Sequence, residues 1–221
     1  MGVKKFEMDW FTSLHGLSEL FWIWSLIAPI NKKRIWSETT AIFFTSDFFT
    51  SPLINFFKNK KIKLIFVSTC SNYGFLENKI ANEKTPLNPK SIYAKQKVKI
   101  EKYIISLRNK SKFTPTILRF STAFGVSARP RFDLTINEFV LYAVTKKKLQ
   151  IYDHETWRPY CHLKDFAKVI QKCVEVDNKK INYQIFNVGD YKNNYQKIEI
   201  AKLIKKHVPS FNYQIVETKN D

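Results

Sequence analysis

The chain has 221 residues, 44% hydrophobic and 25% charged, with 37 Lys and Arg against 19 Asp and Glu and a formal charge of +18. This is the composition of a globular chain long enough to bury a sizeable core, and it excludes a disordered one. The longest apolar run, Leu20 to Ile30, is interrupted by Ser25 and Pro29 and falls short of the ~20 residues of a membrane-spanning helix.

Four of the five tryptophans (Trp10, Trp22, Trp24, Trp36) and nine of the nineteen phenylalanines precede residue 60. No helical or alternating period organises this front, although "SPLINFFKNKK" from Ser51 reads as a short helix. We therefore set residues 1–60 apart as an atypical N-terminal segment. The acidic Glu7 and Asp9 do not suit a signal peptide.

From Lys61 the pattern is regular. "KIKLIFVST" is a β-branched apolar run, as expected of a strand buried on both faces of a parallel sheet. A helix is predicted from about Ser91 to Leu107, with basic Arg108, Lys110 and Lys112 at its C-terminal end. "TPTILRFST" follows as a strand, "DLTINEFVLYAVTKKK" as a helix, "LQIYD" as a strand and "LKDFAKVIQKCVEV" as a helix. "YQIFNVGD" is then a strand ending in a glycine turn, "NYQKIEIAKLIKKHV" a helix and "NYQIVET" a last strand. Strands alternating with long helices predict an α/β fold with a mostly parallel sheet over residues 61–221.

Three cysteines, Cys70, Cys161 and Cys173, form no CxxC and no His-rich cluster, so neither a disulfide framework nor a metal site is expected. A reducing, cytoplasmic location is the simpler reading. The basic charge is carried by 31 Lys and only 6 Arg, scattered along the chain without a block of five. Lysine, asparagine, isoleucine and phenylalanine share A/T-rich codons, so base bias explains the charge about as well as a nucleic-acid partner does. A basic nucleic-acid-binding protein is kept as a third reading, dependent on the basic residues gathering on one face.

Ligands in a doubly wound sheet gather at the carboxyl ends of its strands. "VSTCSNYG", Val67 to Gly74, is such an end, where a hydrophobic strand breaks into hydroxyls before a glycine. Hydroxyls and amides also cluster there simply because they make turns. In the next helix Tyr93 and Lys97 stand at i and i+4, on one face a turn apart. An ammonium so placed favours the phenolate, and the phenol then exchanges a proton near neutrality. The bland reading is an exposed helical pair. Its position one element after a hydroxyl-rich strand end favours proton transfer to or from a substrate carbinol.

Five segments, "KLIFVSTCSNYG", "NEKTPLNPKSIYAKQKVKIEKYI", "PTILRFSTAFG", "WRPYCHLKDFAKVI" and "FNVGD", in this order and spacing closely resemble the extended short-chain dehydrogenase/reductase family, specifically its NAD-dependent nucleotide-sugar epimerases and dehydratases. The resemblance covers roughly residues 61–221. It implies a Rossmann-like sheet flanked by helices, with part of a small C-terminal substrate lobe. It also implies NAD or NADP as cofactor, a nucleotide sugar as substrate and a homodimer as a candidate assembly.

By the resemblance Tyr93 is the catalytic acid or base, and Lys97 binds the nicotinamide ribose and lowers the tyrosine pKa. Thr69 stands at the catalytic Ser/Thr position, with Ser68 beside the cofactor. Thr122 takes a place where relatives carry a substrate-binding asparagine, and Arg158 matches an arginine that pairs with the diphosphate. His162 and Asp165 match structural positions, Asp165 reading as a helix cap. Dehydratases follow the threonine with an acidic pair, whereas this chain has Cys70 and Ser71, which favours epimerisation.

The family also begins with a glycine-rich phosphate loop. The five glycines, Gly2, Gly16, Gly74, Gly125 and Gly189, form no GxxGxxG. Only Ala28 to Ile42 resembles the family's segment before the catalytic strand, and the chain ends where relatives continue. The expectation is a chain shortened at both ends that lacks its dinucleotide-loop unit. A non-catalytic remnant or interaction module of the same family is therefore the second reading.

Overall fold

The computed structural model describes residues 40–43, 50–76, 80–127, 130–145 and 148–217. Most of the Trp- and Phe-rich front, and of the Ala28 to Ile42 resemblance, lies outside them. The central sheet has four parallel strands in the order β1-β2-β3-β7. These are β1 (Thr40–Phe43), β2 (Lys63–Thr69), β3 (Thr114–Phe120) and β7 (Gln184–Val188). Both β1 and helix α1 (Thr50–Phe57) belong to the segment set apart by composition, and both are built onto this sheet.

Every residue of β2 is buried, as its unbroken apolar run predicts for a central parallel strand. Alternation along the strands divides the core in two. Leu64, Phe66 and Ile117 pack with Ile54 of α1 and with Ile100 and Ile104 of helix α2 (Ile92–Ser106). Ile65, Val67, Leu118 and Phe120 pack with Leu163, Phe166 and Ile170 of helix α4 (Leu163–Glu175), where Phe120 and Phe166 stack at 4.2 Å.

α2 begins at Ser91, whose hydroxyl accepts from the Ala94 amide at 3.2 Å. α4 ends on a lysine from the other side of the core. The buried Lys63, first residue of β2, donates to the carbonyls of Cys173, Val174 and Val176 at 2.9, 2.8 and 2.6 Å. One ammonium thus satisfies three acceptors at a helix C-terminus, where a positive charge is also favoured by the dipole.

A second lobe follows the sheet. Helix α3 (Thr135–Val144), the parallel pair β5 (Leu149–Tyr152) and β9 (Tyr213–Val216), and helix α6 (Lys197–His207) share a core of Phe139, Leu149, Ile151, Tyr160, Ile200 and Phe211. Three short strands join it to the main sheet: β4 (Thr122–Phe124), β6 (Trp157–His162) and β8 (Asn194–Gln196), with β6 in the middle. A four-residue helix α5 (Asn178–Ile181) leads into β7.

The elements predicted from Lys61 onward are present, and the Ser51 helix lies at Thr50–Phe57. β1, β4, β6 and β8 were not predicted. His162, and not Asp165, caps α4: its Nδ1 accepts from the Lys164 amide at 3.1 Å. Asp165 sits in the first turn and pairs with Lys168 at 3.0 Å. Among the described residues no helix is long and apolar enough to cross a membrane.

Candidate active site

β2 ends at Thr69, and a 3-10 turn, Cys70–Tyr73, carries the chain away from the sheet. The Thr69 hydroxyl accepts from the Ser71 amide at 3.1 Å, fixing the first bend. Gly74 closes the turn at φ 71°, and a Cβ there would lie 2.1 Å from the Asn88 carbonyl oxygen. Only glycine meets both demands.

A cavity of about 760 Å³ opens at this strand end. Ser68, Thr69, Tyr93, Lys97, Thr122 and Arg158, the six residues singled out in the sequence, all line it. They come from four elements, β2, α2, β4 and β6. Lys97 is 1% exposed, and its Nζ donates to the Val67 carbonyl at 2.8 Å. The same nitrogen lies 5.5 Å from the centre of the Tyr93 ring and 5.1 Å from that of Phe66. Tyr93 is 42% exposed, so its ring reaches the solvent side of the cavity.

Ser68 lines the cavity, but its hydroxyl is engaged on the helix side of the strand. Its hydroxyl is committed to Glu101 Oε1 at 2.5 Å and accepts from the Asn72 amide nitrogen at 3.0 Å. The cause is strand alternation: Ser68 keeps the parity of Leu64 and Phe66, which face α2. Thr122 and Arg158 line a second, adjoining cavity of about 720 Å³ as well, together with Ser71 and residues of the second lobe. Arg131 and Asp133 stand in the first cavity joined by a bidentate ion pair. Hydrogen bonding from Arg131 holds the Asp133 carboxyl below the usual carboxylate range.

A buried ionic network behind Thr69 was missed from sequence. Arg119 of β3 donates through Nε to both carboxylate oxygens of Glu101 at 3.1 and 3.2 Å, and through Nη2 to Oε2 at 2.6 Å. Both side chains are 3% exposed. Arg119 Nη1 donates to the Tyr73 hydroxyl at 2.8 Å, which donates to Asn187 Oδ1 at 2.7 Å. Asn72 donates to Glu101 Oε1 at 2.8 Å. Burial works against the Arg119 charge, but hydrogen bonds and charge from Glu101 outweigh it, so its pKa rises above the ordinary arginine value. The available signal was an arginine inside an otherwise apolar strand, and a glutamate one turn past Lys97 on the buried side of α2.

Cys70 lines the cavity, but its thiol donates to the Arg119 carbonyl at 3.2 Å, and burial pushes its pKa up to about 12. Burial pushes Cys161 up to about 11 and raises Cys173 as well. At pH 8 a thiol with a pKa of about 12, as for Cys70, is thiolate about one part in ten thousand, and one of about 11, as for Cys161, about one part in a thousand, against about one in four for an ordinary cysteine. The native protein should therefore react with DTNB at least about a hundredfold more slowly than the protein in guanidinium, which should release three equivalents of chromophore. A native thiol labelled within seconds would contradict this burial.

The donor set at the strand end fits the nicotinamide-ribose end of a dinucleotide: a hydroxyl, a phenol and a buried ammonium around one cavity. A parallel α/β sheet with this set at the carboxyl end of a strand is the arrangement of a Rossmann-like protein. Residues 35–189 match the model of the NAD dependent epimerase/dehydratase family, and the chain belongs to that family. The ADP-L-glycero-D-manno-heptose-6-epimerase of Brachyspira hyodysenteriae is 26% identical over 164 residues, covering 72% of this chain and 50% of its own length.

Among solved structures, dTDP-glucose 4,6-dehydratase from Bacillus anthracis in complex with NAD superposes with a TM-score of 0.73 at 22% identity, covering 83% of this chain and 61% of that one. UDP-glucuronic acid 4-epimerase from Bacillus cereus, in complex with UDP-glucuronic acid and NAD, gives 0.70 at 22% identity, covering 79% and 55%. The structural neighbours include epimerases and dehydratases alike. The chain spans about half the length of the relatives it matches in sequence.

Proposed function

We propose that the chain acts as an NAD-dependent nucleotide-sugar epimerase, with Thr69, Tyr93 and Lys97 at its centre. The observation that carries this reading is that all six expected residues line one cavity at the carboxyl end of β2. Bound NAD would supply an acceptor that takes a hydride from the sugar carbon and returns it. Tyr93 would remove the proton of the sugar hydroxyl and give it back, and Thr69 would hold the reacting oxygen by a hydrogen bond. Lys97, anchored on the Val67 carbonyl, would place its charge beside the phenol and the nicotinamide ribose. Thr122 and Arg158, on the wall shared by the two cavities, would hold the sugar and its diphosphate.

The two residues after Thr69 favour epimerisation over dehydration. Elimination of water needs a second acid/base group, and Cys70, with a pKa of about 12 and its thiol on the Arg119 carbonyl, does not supply one near neutrality. Ser71 is no carboxylate either.

The five scattered glycines favour a second reading, a non-catalytic module of the same family, because no GxxGxxG is present to receive the pyrophosphate. Calorimetry with NAD, followed by NMR of the chain incubated with NAD and UDP-, dTDP- and ADP-linked sugars, separates the two. Saturable binding and a new sugar epimer support the enzyme. Absence of binding at millimolar NAD turns the assignment to the module.

A further inference from the structure

We propose that Glu101 is a positioning residue: clamped by Arg119, it sets the register of α2 against the end of β2 and so places Tyr93 and Lys97 relative to Thr69. This rests on the reading of those three residues as the reacting centre. Tyr93, Lys97 and Glu101 stand at i, i+4 and i+8, on one face of α2. The first two line the cavity and the third is locked below it.

Glu101 Oε1 receives Ser68, Asn72 and Arg119 together, at 2.5, 2.8 and 3.1 Å. Thr69 is thereby held from both sides. Ser68 before it is tied to Glu101, while Cys70 after it is tied to the carbonyl of Arg119, the residue that grips Glu101. Three elements, α2, β2 and β3, thus meet at one carboxylate. Arg119 and Asn72 pass the restraint to the 3-10 turn, and Tyr73 carries it on to Asn187 of β7. Apolar packing between a helix and a strand tolerates small slides, whereas a carboxylate with five directed bonds does not. A misplacement of about 1 Å in a reacting set costs on the order of a hundredfold in rate.

The test must separate position from stability, and the ionic pair permits it. Removing one partner strands a buried charge, whereas replacing both by apolar side chains of similar volume restores stability. The variant Glu101→Met/Arg119→Met is therefore compared with the unaltered chain at matched melting temperature. Hydrogen exchange at the Ser71 amide, which is bonded to the Thr69 hydroxyl, should speed up about tenfold or more in the double variant while core amides of β3 keep their protection. If turnover is present in the unaltered chain, kcat in the variant should fall about tenfold or more with KM and the NAD dissociation constant within about twofold. Ser71 exchange unchanged in the double variant, or recovery of full kcat along with stability, overturns the proposal. An unaltered chain without turnover defeats the enzyme reading alone, and the exchange comparison still decides the role of Glu101.

Discussion

Under the proposed function, replacing Tyr93 by phenylalanine should lower nucleotide-sugar interconversion by about a hundredfold to ten-thousandfold, the range that a positioned proton-transfer group contributes. The change deletes one hydroxyl and leaves the ring. Because Tyr93 is 42% exposed on the cavity wall, the melting curve should stay within about 0.5 kcal/mol of the unaltered protein. Lys97 offers no such clean experiment. It is buried, bonded to the Val67 carbonyl and lies over Phe66, so its removal alters fold and site together. Paired kinetic and thermal measurements on Tyr93→Phe settle the point: a variant that retains more than about a tenth of the rate would remove Tyr93 from the chemistry.

The largest expected effect on stability comes from Glu101→Leu. The substitution leaves the Arg119 guanidinium at 3% exposure without its carboxylate and takes an acceptor from Ser68 and Asn72. Stranding a buried charge of this kind costs about 3–5 kcal/mol, or roughly 10 °C in melting temperature for a chain of this size. Differential scanning calorimetry reads the loss directly. A shift below about 2 °C would mean that water or a local rearrangement rescues the guanidinium, and the network would then be looser than its geometry indicates.

Much of this architecture is written in patterns that a single sequence displays. β2 and β3 are built around short apolar runs because parallel strands are covered on both faces, and α2 announces itself by Ser91 and by the spacing of Ala94, Val98 and Ile104. Six of the residues lining the cavity were legible because motif spacing survives where periodicity is silent. β4, β6 and β8 were not legible. Two of them have three residues each, too few for alternation to register, and β6 carries Arg158, Pro159 and His162 in place of an apolar run. β1 lies among aromatic residues without a period, so only pairing with β2 defines it. The Glu101–Arg119 pair is non-local, with partners 18 residues apart on different elements. Sequence pattern marks each charge as unusual without saying that they meet.

The distance between the two ends of β2 has a consequence for how this protein tolerates change. Lys63 holds the end of α4 at one end of the strand and Thr69 borders the cavity at the other. Seven residues at about 3.3 Å each put some 20 Å between them, well past the range of about 7–10 Å within which substitutions interact. Variation around the lysine and its three carbonyls should therefore combine additively with variation around Thr69. The floor of the sheet serves as a reservoir of robustness that selection or a protein engineer draws on without disturbing the cavity at its rim.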